Sequence, residues 1–254
     1  MIKKILIFSV FAALVTGAAF VLGLDKEGKK GKVTYAQGRV QRKPSDQDLW
    51  HKAPVNTEVL SGDKVRTFKE SLAELNLAEL DVIRLAPKTT VDIVKLYQES
   101  KDKRAETAIV VDSGDVWADI HEIDKDTKFD ISTGIASAAI TGTTLRINVF
   151  PDSVTTLKVY KGEVHFTNAP EKTSLTPKSI KPHQVKGPHQ IQGPHEVSLK
   201  EWLYIVKSMQ QITVDNKGKV VSVGSFSLSD KDEQKDWVKW NLKRDSLRVR
   251  RLGK

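Results

Sequence analysis

The chain has 254 residues, of which 39% are hydrophobic and 29% charged, a composition that supports a folded core. It contains no cysteine, which excludes disulfides, thiol nucleophiles and thiolate metal sites. The formal net charge is +9, but the basic residues are interleaved with acids along most of the chain. Because the next segment predicts export from the cytoplasm, we expect no nucleic-acid partner.

The N-terminus carries a targeting or anchoring signal. After "MIKK" the chain runs from Ile5 to Leu24 without a charge, and such a helix is about 30 Å long, the thickness of a bilayer core. Lys3 and Lys4 should keep the short end cytoplasmic. We expect a single-pass inner-membrane anchor at residues 5–24 with the bulk of the chain in the periplasm. The alternative is a signal peptide cleaved near residues 17–19, which would release the protein into the periplasm.

Residues 31–168 show a β pattern. Apolar and polar residues alternate in short runs, which predicts strands with one buried face and one face in water. A Gly-x-Val unit recurs between runs, and glycine supplies the positive φ that a tight turn needs. We predict a mainly β domain, either an irregular β-solenoid or a sandwich of short strands. The runs are "AELNL" (73–77), "VIRL" (82–85), "FDI" (129–131) and "LRINV" (145–149), and the turn glycines are Gly31, Gly38, Gly114, Gly162 and Gly218.

A proline-rich segment, residues 169–197, follows the β domain and predicts an extended connector. It contains three Pro-His pairs, so His183, His189 and His195 are weak candidates for metal ligands. Six residues of extended chain cover about 20 Å, which keeps the three rings from sharing one ion unless the chain folds back. The alternative is a stiff strap whose apolar residues Val185, Ile191 and Val197 pack on a neighbouring surface.

Residues 198–254 predict a small α+β extension. Ser198 and Glu201 form a capping box, which predicts a first helix with Trp202, Ile205, Val206 and Met209 on one face. A hairpin should follow with its turn at 215–218, and then a second helix within residues 229–245, where Trp237 and Trp240 act as packing anchors. We divide the chain into an anchor or signal peptide (1–24), a β domain (31–168), the connector (169–197) and this extension (198–254).

The C-terminus carries a dense basic cluster. Such a tail could touch anionic lipid or a cell-wall polymer. We favour the simpler interpretation of a solvated, partly disordered end. The cluster consists of Lys243, Arg244, Arg248, Arg250, Arg251 and Lys254.

No catalytic constellation is evident in the sequence. His121-Glu122 has no second histidine at helical spacing, and there is no phosphate-binding glycine loop or nucleophile elbow. Asp112 and Asp115 flank a turn, where we expect them to cap it. The Ser-Gly-Asp turns offer too few oxygen ligands for a calcium loop. We therefore expect neither enzymatic activity nor a cofactor.

An ordered series of elements runs along the β domain: "GKVTYAQGRVQRK", Trp50, "LSGDKVRT" (60–67), "IRLAPKT" (83–89), "TGTTLRINV" (141–149) and "KGEVHF" (161–166). This series resembles the FecR domain of bacterial envelope proteins. The resemblance covers residues 31–168, and only four residues precede the apolar segment, so we expect a FecR domain without the anti-sigma region. Because a β domain without a catalytic constellation follows an apolar anchor, we favour a periplasmic binding, scaffold or sensor module that meets an envelope protein or a cell-wall partner. Two alternatives are a transmembrane signalling regulator that acts through a separate partner and a cell-wall or carbohydrate-binding protein.

Overall fold

The computed structural model describes residues 30–77, 81–99, 105–121, 127–169, 178–179 and 201–252. These residues form eighteen strands, hydrogen-bonded into one sheet, and one helix, so the predicted mainly β class is confirmed. None of their helices is long and apolar enough to span a membrane. The strands are β1 (Gly31–Gln37), β2 (Val40–Lys43), β3 (His51–Lys52), β4 (Glu58–Val59), β5 (Asp63–Thr67), β6 (Leu72–Asn76), β7 (Val82–Leu85), β8 (Thr90–Glu99), β9 (Ala105–Asp119), β10 (Thr127–Ser132), β11 (Ser137–Ile140), β12 (Thr144–Val149), β13 (Thr155–Lys161), β14 (Glu163–Thr167), β15 (Lys178–Ser179), β16 (Leu203–Lys207), β17 (Gln210–Val214) and β18 (Val220–Ser225), and the helix is α1 (Asp236–Leu252).

The sheet consists of two ladders that share strand β9. The first ladder has the order β4-β1-β6-β7-β9-β12-β13-β17-β18. The second has the order β3-β2-β5-β8-β9-β10-β11-β14-β16-β15. Residues 105–113 of β9 pair in the second ladder and residues 114–119 in the first. All pairs are antiparallel except β9 with β10 and β15 with β16.

The two ladders contribute to one hydrophobic core. Leu75, Ile83 and Leu145 enter it from the first ladder, and Ile93 and Phe166 enter it from the second. These side chains are fully or almost fully withdrawn from water, which is the main favourable term in folding. The predicted period-two strands are thus confirmed on their apolar face.

We predicted that the polar face of the strands lies in water, but on the first ladder charged residues of this face are buried. Glu74, Arg84 and Arg146 occupy the polar positions of the runs in β6, β7 and β12, yet all three are buried. The alternation of the sequence identifies which face a side chain is on but cannot show what lies over that face. Here the C-terminal part of the chain covers it, as described below.

The turn glycines mostly behave as predicted. Gly38, Gly114, Gly162 and Gly218 have positive φ, whereas Gly31 begins strand β1 itself. At Gly162, with φ +91°, a Cβ would lie 2.7 Å from the backbone oxygen of Gly142. Both the backbone conformation and the close approach therefore require glycine at this position.

The first helix predicted in the C-terminal extension is wrong. Residues 203–207 form β16, which pairs with β14, and Trp202 belongs to the core cluster. The backbone of this segment gains a neighbouring strand, and this pairing outweighs the local capping signal. The hairpin is confirmed as β17 and β18, and the second helix is confirmed as α1, which begins at Asp236 after the turns that end at Lys235.

Several predicted features lie outside the described residues. These are the N-terminal segment 1–24, the three Pro-His pairs with His183, His189 and His195, and the three apolar residues of the connector. Of residues 169–197, the structure describes only Ala169 and the short strand β15.

Candidate functional site

A row of mostly polar residues crosses the outer face of the first ladder. Each member stands directly beside the next in the register of neighbouring strands, so consecutive members are about 5 Å apart. We call this set the charged row. Its members are Glu74 (β6), Arg84 (β7), Trp117 (β9), Arg146 (β12), Lys158 (β13) and Gln211 (β17).

The C-terminal cover, residues 227–252, lies over most of the charged row. It consists of the turns at 228–235 and helix α1. Charged side chains of the cover meet charged side chains of the row in two clusters. A third contact joins Arg248 of α1 to Asp119 of β9, with 2.8 Å between Nη1 and Oδ2.

The first cluster is centred on Glu74 and Arg84. The guanidinium of Arg244 donates two hydrogen bonds to the Glu74 carboxylate, at 2.8 and 2.7 Å, and Arg84 Nε donates a third at 2.7 Å. Arg84 Nη1 also donates to Asp245 Oδ1 at 2.6 Å, and the indole of Trp117 donates to the other oxygen of Asp245 at 2.9 Å. Charged side chains of β6, β7 and α1 are thus joined in one network of hydrogen bonds.

The second cluster surrounds Arg146 and Lys158. Arg146 binds the Asp115 carboxylate through Nε and Nη2, at 2.9 and 2.6 Å, and reaches Asp232 of the cover through Nη1 at 2.7 Å. Lys158 donates to Asp232 and to Glu233, at 2.9 and 2.7 Å. Glu233, which is almost fully buried, also accepts a hydrogen bond from the hydroxyl of Tyr160 at 2.6 Å. The turn before α1 is therefore fixed to β12 and β13 by ion pairs.

The clusters shift the acidity of their members. Burial alone would raise the pKa of the Glu74 carboxyl, but the hydrogen bonds from Arg244 and Arg84 outweigh burial and lower that pKa to about 2. Burial would also raise the pKa of the Asp232 carboxyl, but the hydrogen bonds from Lys158 and Lys235 outweigh burial and lower that pKa. At Asp245 burial dominates and raises the pKa of the carboxyl.

The cover adds few apolar contacts to the core. Trp237 and Trp240 stack on one another with their centroids 5.5 Å apart, and Trp240 packs against Tyr35 of β1. They are packing anchors, as predicted. Val238 is buried, but none of the described side chains of α1 belongs to the core cluster of the two ladders. The cover is thus attached largely by charge and aromatic contacts.

Two cavities border the cover. One, of about 310 Å³, lies between α1 and strands β6 and β7 and is lined by members of the first cluster. The other, of about 250 Å³, lies beside the second cluster, and we call it the polar groove. Its residues on strands β12, β13 and β17 and the loop after β12 are Arg146, Asn148, Phe150, Thr156, Lys158, Gln211 and Thr213, and the cover contributes Asp232 and Lys235.

The residues singled out in the sequence have other roles than expected. Asp115 does not cap its turn through its carboxylate, which is bound by Arg146, and Asp112 contacts Lys64 on the second ladder. His121 is exposed, and its backbone N–H donates to Asp81. Within the described ranges no three His, Cys, Asp or Glu side chains are placed to hold a metal ion.

The described part of the basic C-terminus differs from the solvated, partly disordered end that the sequence suggested. Helix α1 continues to Leu252, and two of its arginines, Arg244 and Arg248, are paired with Glu74 and Asp119. The clue in the sequence was the set of charged residues at strand positions, Glu74, Arg84, Arg146 and Lys158, which need partners if they are buried.

Comparisons with known proteins place part of this chain in a family. The family model described as FecR protein matches residues 63–165, from β5 to β14. No curated protein matches the sequence. Among solved structures, two of a candidate anti-sigma factor from Parabacteroides distasonis, at 2.50 and 1.65 Å, are similar at 12% identity with TM-scores of 0.44 and 0.43. The match covers 64% of this chain and 59% of each of theirs. The chain therefore carries a FecR domain, and the resemblance to that family is confirmed over residues 63–165.

Proposed function

We propose that this protein is a non-catalytic regulator that passes a signal across the bacterial inner membrane through a separate protein partner. The FecR domain supports this role more directly than it supports a passive scaffold. The predicted anchor at residues 5–24 would hold the domain at the periplasmic surface of the membrane.

The observation that carries the proposal is the way the cover is attached to the FecR domain. Buried ion pairs require accurate geometry, and the free energy of two buried charges changes steeply when one partner moves away. The cover contributes Asp245, Asp232 and Glu233, and these pair with Arg84, Arg146 and Lys158 of the first ladder. A cover held by such pairs is therefore suited to two discrete positions, one bound to the ladder and one released from it. A partner that binds the outer face of the first ladder would have to displace the cover.

A genetic experiment tests the regulatory role. Deletion of the gene should change the abundance of a small, defined set of transcripts, and expression of the wild-type chain should restore them. A chain with Arg244→Ala and Arg248→Ala, which loosens α1, should move the same transcripts in one direction. A deletion strain with an unchanged transcript profile would contradict the proposal.

Photo-crosslinking tests the need for a partner. Leu247 on α1, which covers the first ladder, and Val94 on β8 of the second ladder are similarly exposed, at 45% and 43%. A photoreactive amino acid at position 247 should give a discrete crosslinked product in living cells, and the same group at position 94 serves as the matched control. Equal products at both positions would indicate collision rather than a specific contact.

A further inference from the structure

A second row of polar residues runs beside the charged row but is left open by the cover. Asn148 of β12 stands next to Thr156 of β13, and Thr156 stands next to Thr213 of β17. Their side chains share the outer face, since the two threonine hydroxyl oxygens lie 3.1 Å apart. All three are only partly buried, and they line the polar groove.

The floor of the groove has hydrogen-bonding capacity that the protein does not use. In the part of the chain that the structure describes, the side-chain amides of Asn148 and Gln211 have no hydrogen-bond partner. Each amide has two N–H donors and one carbonyl acceptor, and each threonine hydroxyl can both donate and accept. The floor therefore offers donors and acceptors in alternation along three neighbouring strands.

The groove is electrically balanced. Its wall contains three cations, Arg146, Lys158 and Lys235, but three carboxylates neutralise them. Asp115 pairs with Arg146, Glu233 pairs with Lys158, and Asp232 contacts all three cations. This balance disfavours a phosphate or carboxylate ligand and favours a neutral polar one.

One end of the groove is apolar. The ring of Phe150 is 45% exposed and borders both the polar groove and a shallow depression formed by residues 150–154. A ligand that fits this combination needs a hydroxyl-rich edge for the amides and threonines and a C–H face for the ring. A pyranose has both surfaces, and binding sites commonly combine an apolar wall with a few converging polar groups.

We propose that the polar groove binds a neutral oligosaccharide. One sugar ring would stack on Phe150, and the hydroxyls of the following rings would be bound by Asn148, Thr156, Thr213 and Gln211. The residues proposed to bind the sugar lie on β12, β13, β17 and the loop after β12, so the proposal does not depend on the signalling role, although the cover supplies Asp232 and Lys235 to the wall of the groove.

Calorimetric titration of the full-length chain with N-acetylchitohexaose and cellohexaose tests the proposal. The detergent must lack a sugar headgroup, because a maltoside would compete for the groove. We expect saturable binding of at least one of the two probes. The double variant Thr156→Val and Thr213→Val removes both hydroxyls but keeps β-branched shape, and it should weaken binding about tenfold or more.

Thr90→Val is the matched control, since Thr90 is a half-buried strand threonine on the second ladder, and it should leave affinity unchanged. Phe150→Ala, at an exposed position, provides a second variant if the double variant does not fold. Unaltered affinity in the variants of the groove, absence of binding to both neutral probes, or binding only of a sulfated heparin hexasaccharide would overturn the proposal. None of these outcomes bears on the transcript experiment.

Discussion

Arg84 and Asp245 lie 161 residues apart in the chain, yet Arg84 Nη1 of strand β7 donates to Asp245 Oδ1 of helix α1 at 2.6 Å. Arg84 is almost fully buried and also binds Glu74, so one guanidinium holds a strand neighbour and the cover together.

Replacement of Arg84 by methionine should strongly destabilise the protein. The substitution keeps similar bulk but leaves Asp245 and part of Glu74 without a counter-charge, and a broken buried pair costs about 3–5 kcal/mol. Urea unfolding followed by circular dichroism measures the free energy of unfolding. Lys69→Met is the control, because Lys69 and its partner Glu70 are 80% and 81% exposed, and it should cost less than about 1 kcal/mol. Equal losses for the two variants would rule out a structural role for the cluster.

The low pKa of Glu74 predicts acid sensitivity. Because the folded pKa, about 2, lies below the ordinary 4.5, the ionised Glu74 contributes stability above pH 4.5, and this contribution disappears as the pH falls from 4.5 to about 2. The shift corresponds to about 3 kcal/mol. Asp245 acts in the opposite direction, since its raised pKa gives a contribution present at low pH that is lost as the pH rises through the folded value.

Glu74→Gln separates these effects. The wild type should be more stable than this variant by about 3 kcal/mol near neutral pH, and the difference should shrink as the pH falls toward 2. Unfolding by urea at several pH values measures it, with the exposed Glu70→Gln as the control. If the difference in the free energy of unfolding did not change with pH, the arginine residues would not be stabilising the ionised form of Glu74.

A side chain at Gly162 should destabilise the protein. Gly162→Ala combines a positive φ with a close approach to the Gly142 oxygen and should cost about 1–3 kcal/mol. At Gly224 of β18 a Cβ would meet no atom within 4 Å, so Gly224→Ala should change stability by less than about 0.5 kcal/mol. Thermal unfolding of both variants measures the contrast, and a harmless Gly162→Ala would contradict the turn geometry.

Removal of the whole cover should be less harmful than removal of Arg84. A chain that ends at Phe226 loses the partners of the charged row, but it also exposes the row to water, which solvates the remaining charges. We expect the two ladders to stay folded, with the amide resonances of the core strands retained in a nitrogen–proton correlation spectrum. A collapsed spectrum would show that the cover is needed for folding itself.

The strands and turns were largely predictable because they depend on local signals. The alternating runs located β6, β7, β10 and β12, and glycine marked four turns with positive φ. The helix predicted after Ser198 failed because pairing with β14 is a contact over some forty residues, which a local capping signal does not contain. The pairing of both ladders with β9 was also not predicted, because it too depends on contacts between residues that are distant in the sequence.

The site was much harder to predict. By its sequence pattern, each charged residue of the row occupies an ordinary solvent-facing position of its own strand, and only the register of five strands aligns Glu74, Arg84, Arg146 and Lys158 in one row. Their partners, Asp232, Asp245 and Arg244, come from a segment whose charges look like those of a solvated helix. The sequence indicates that charges at strand positions need partners if they are buried, but it does not indicate which distant residues supply those partners.

Strand β9 also joins the two ladders. It pairs with β8 and β10 before Gly114 and with β7 and β12 after it, so it is the one described strand that runs through both. Gly114, with its positive φ, lies where β9 passes from one ladder to the other, so a side chain added at this position would disturb both ladders at once.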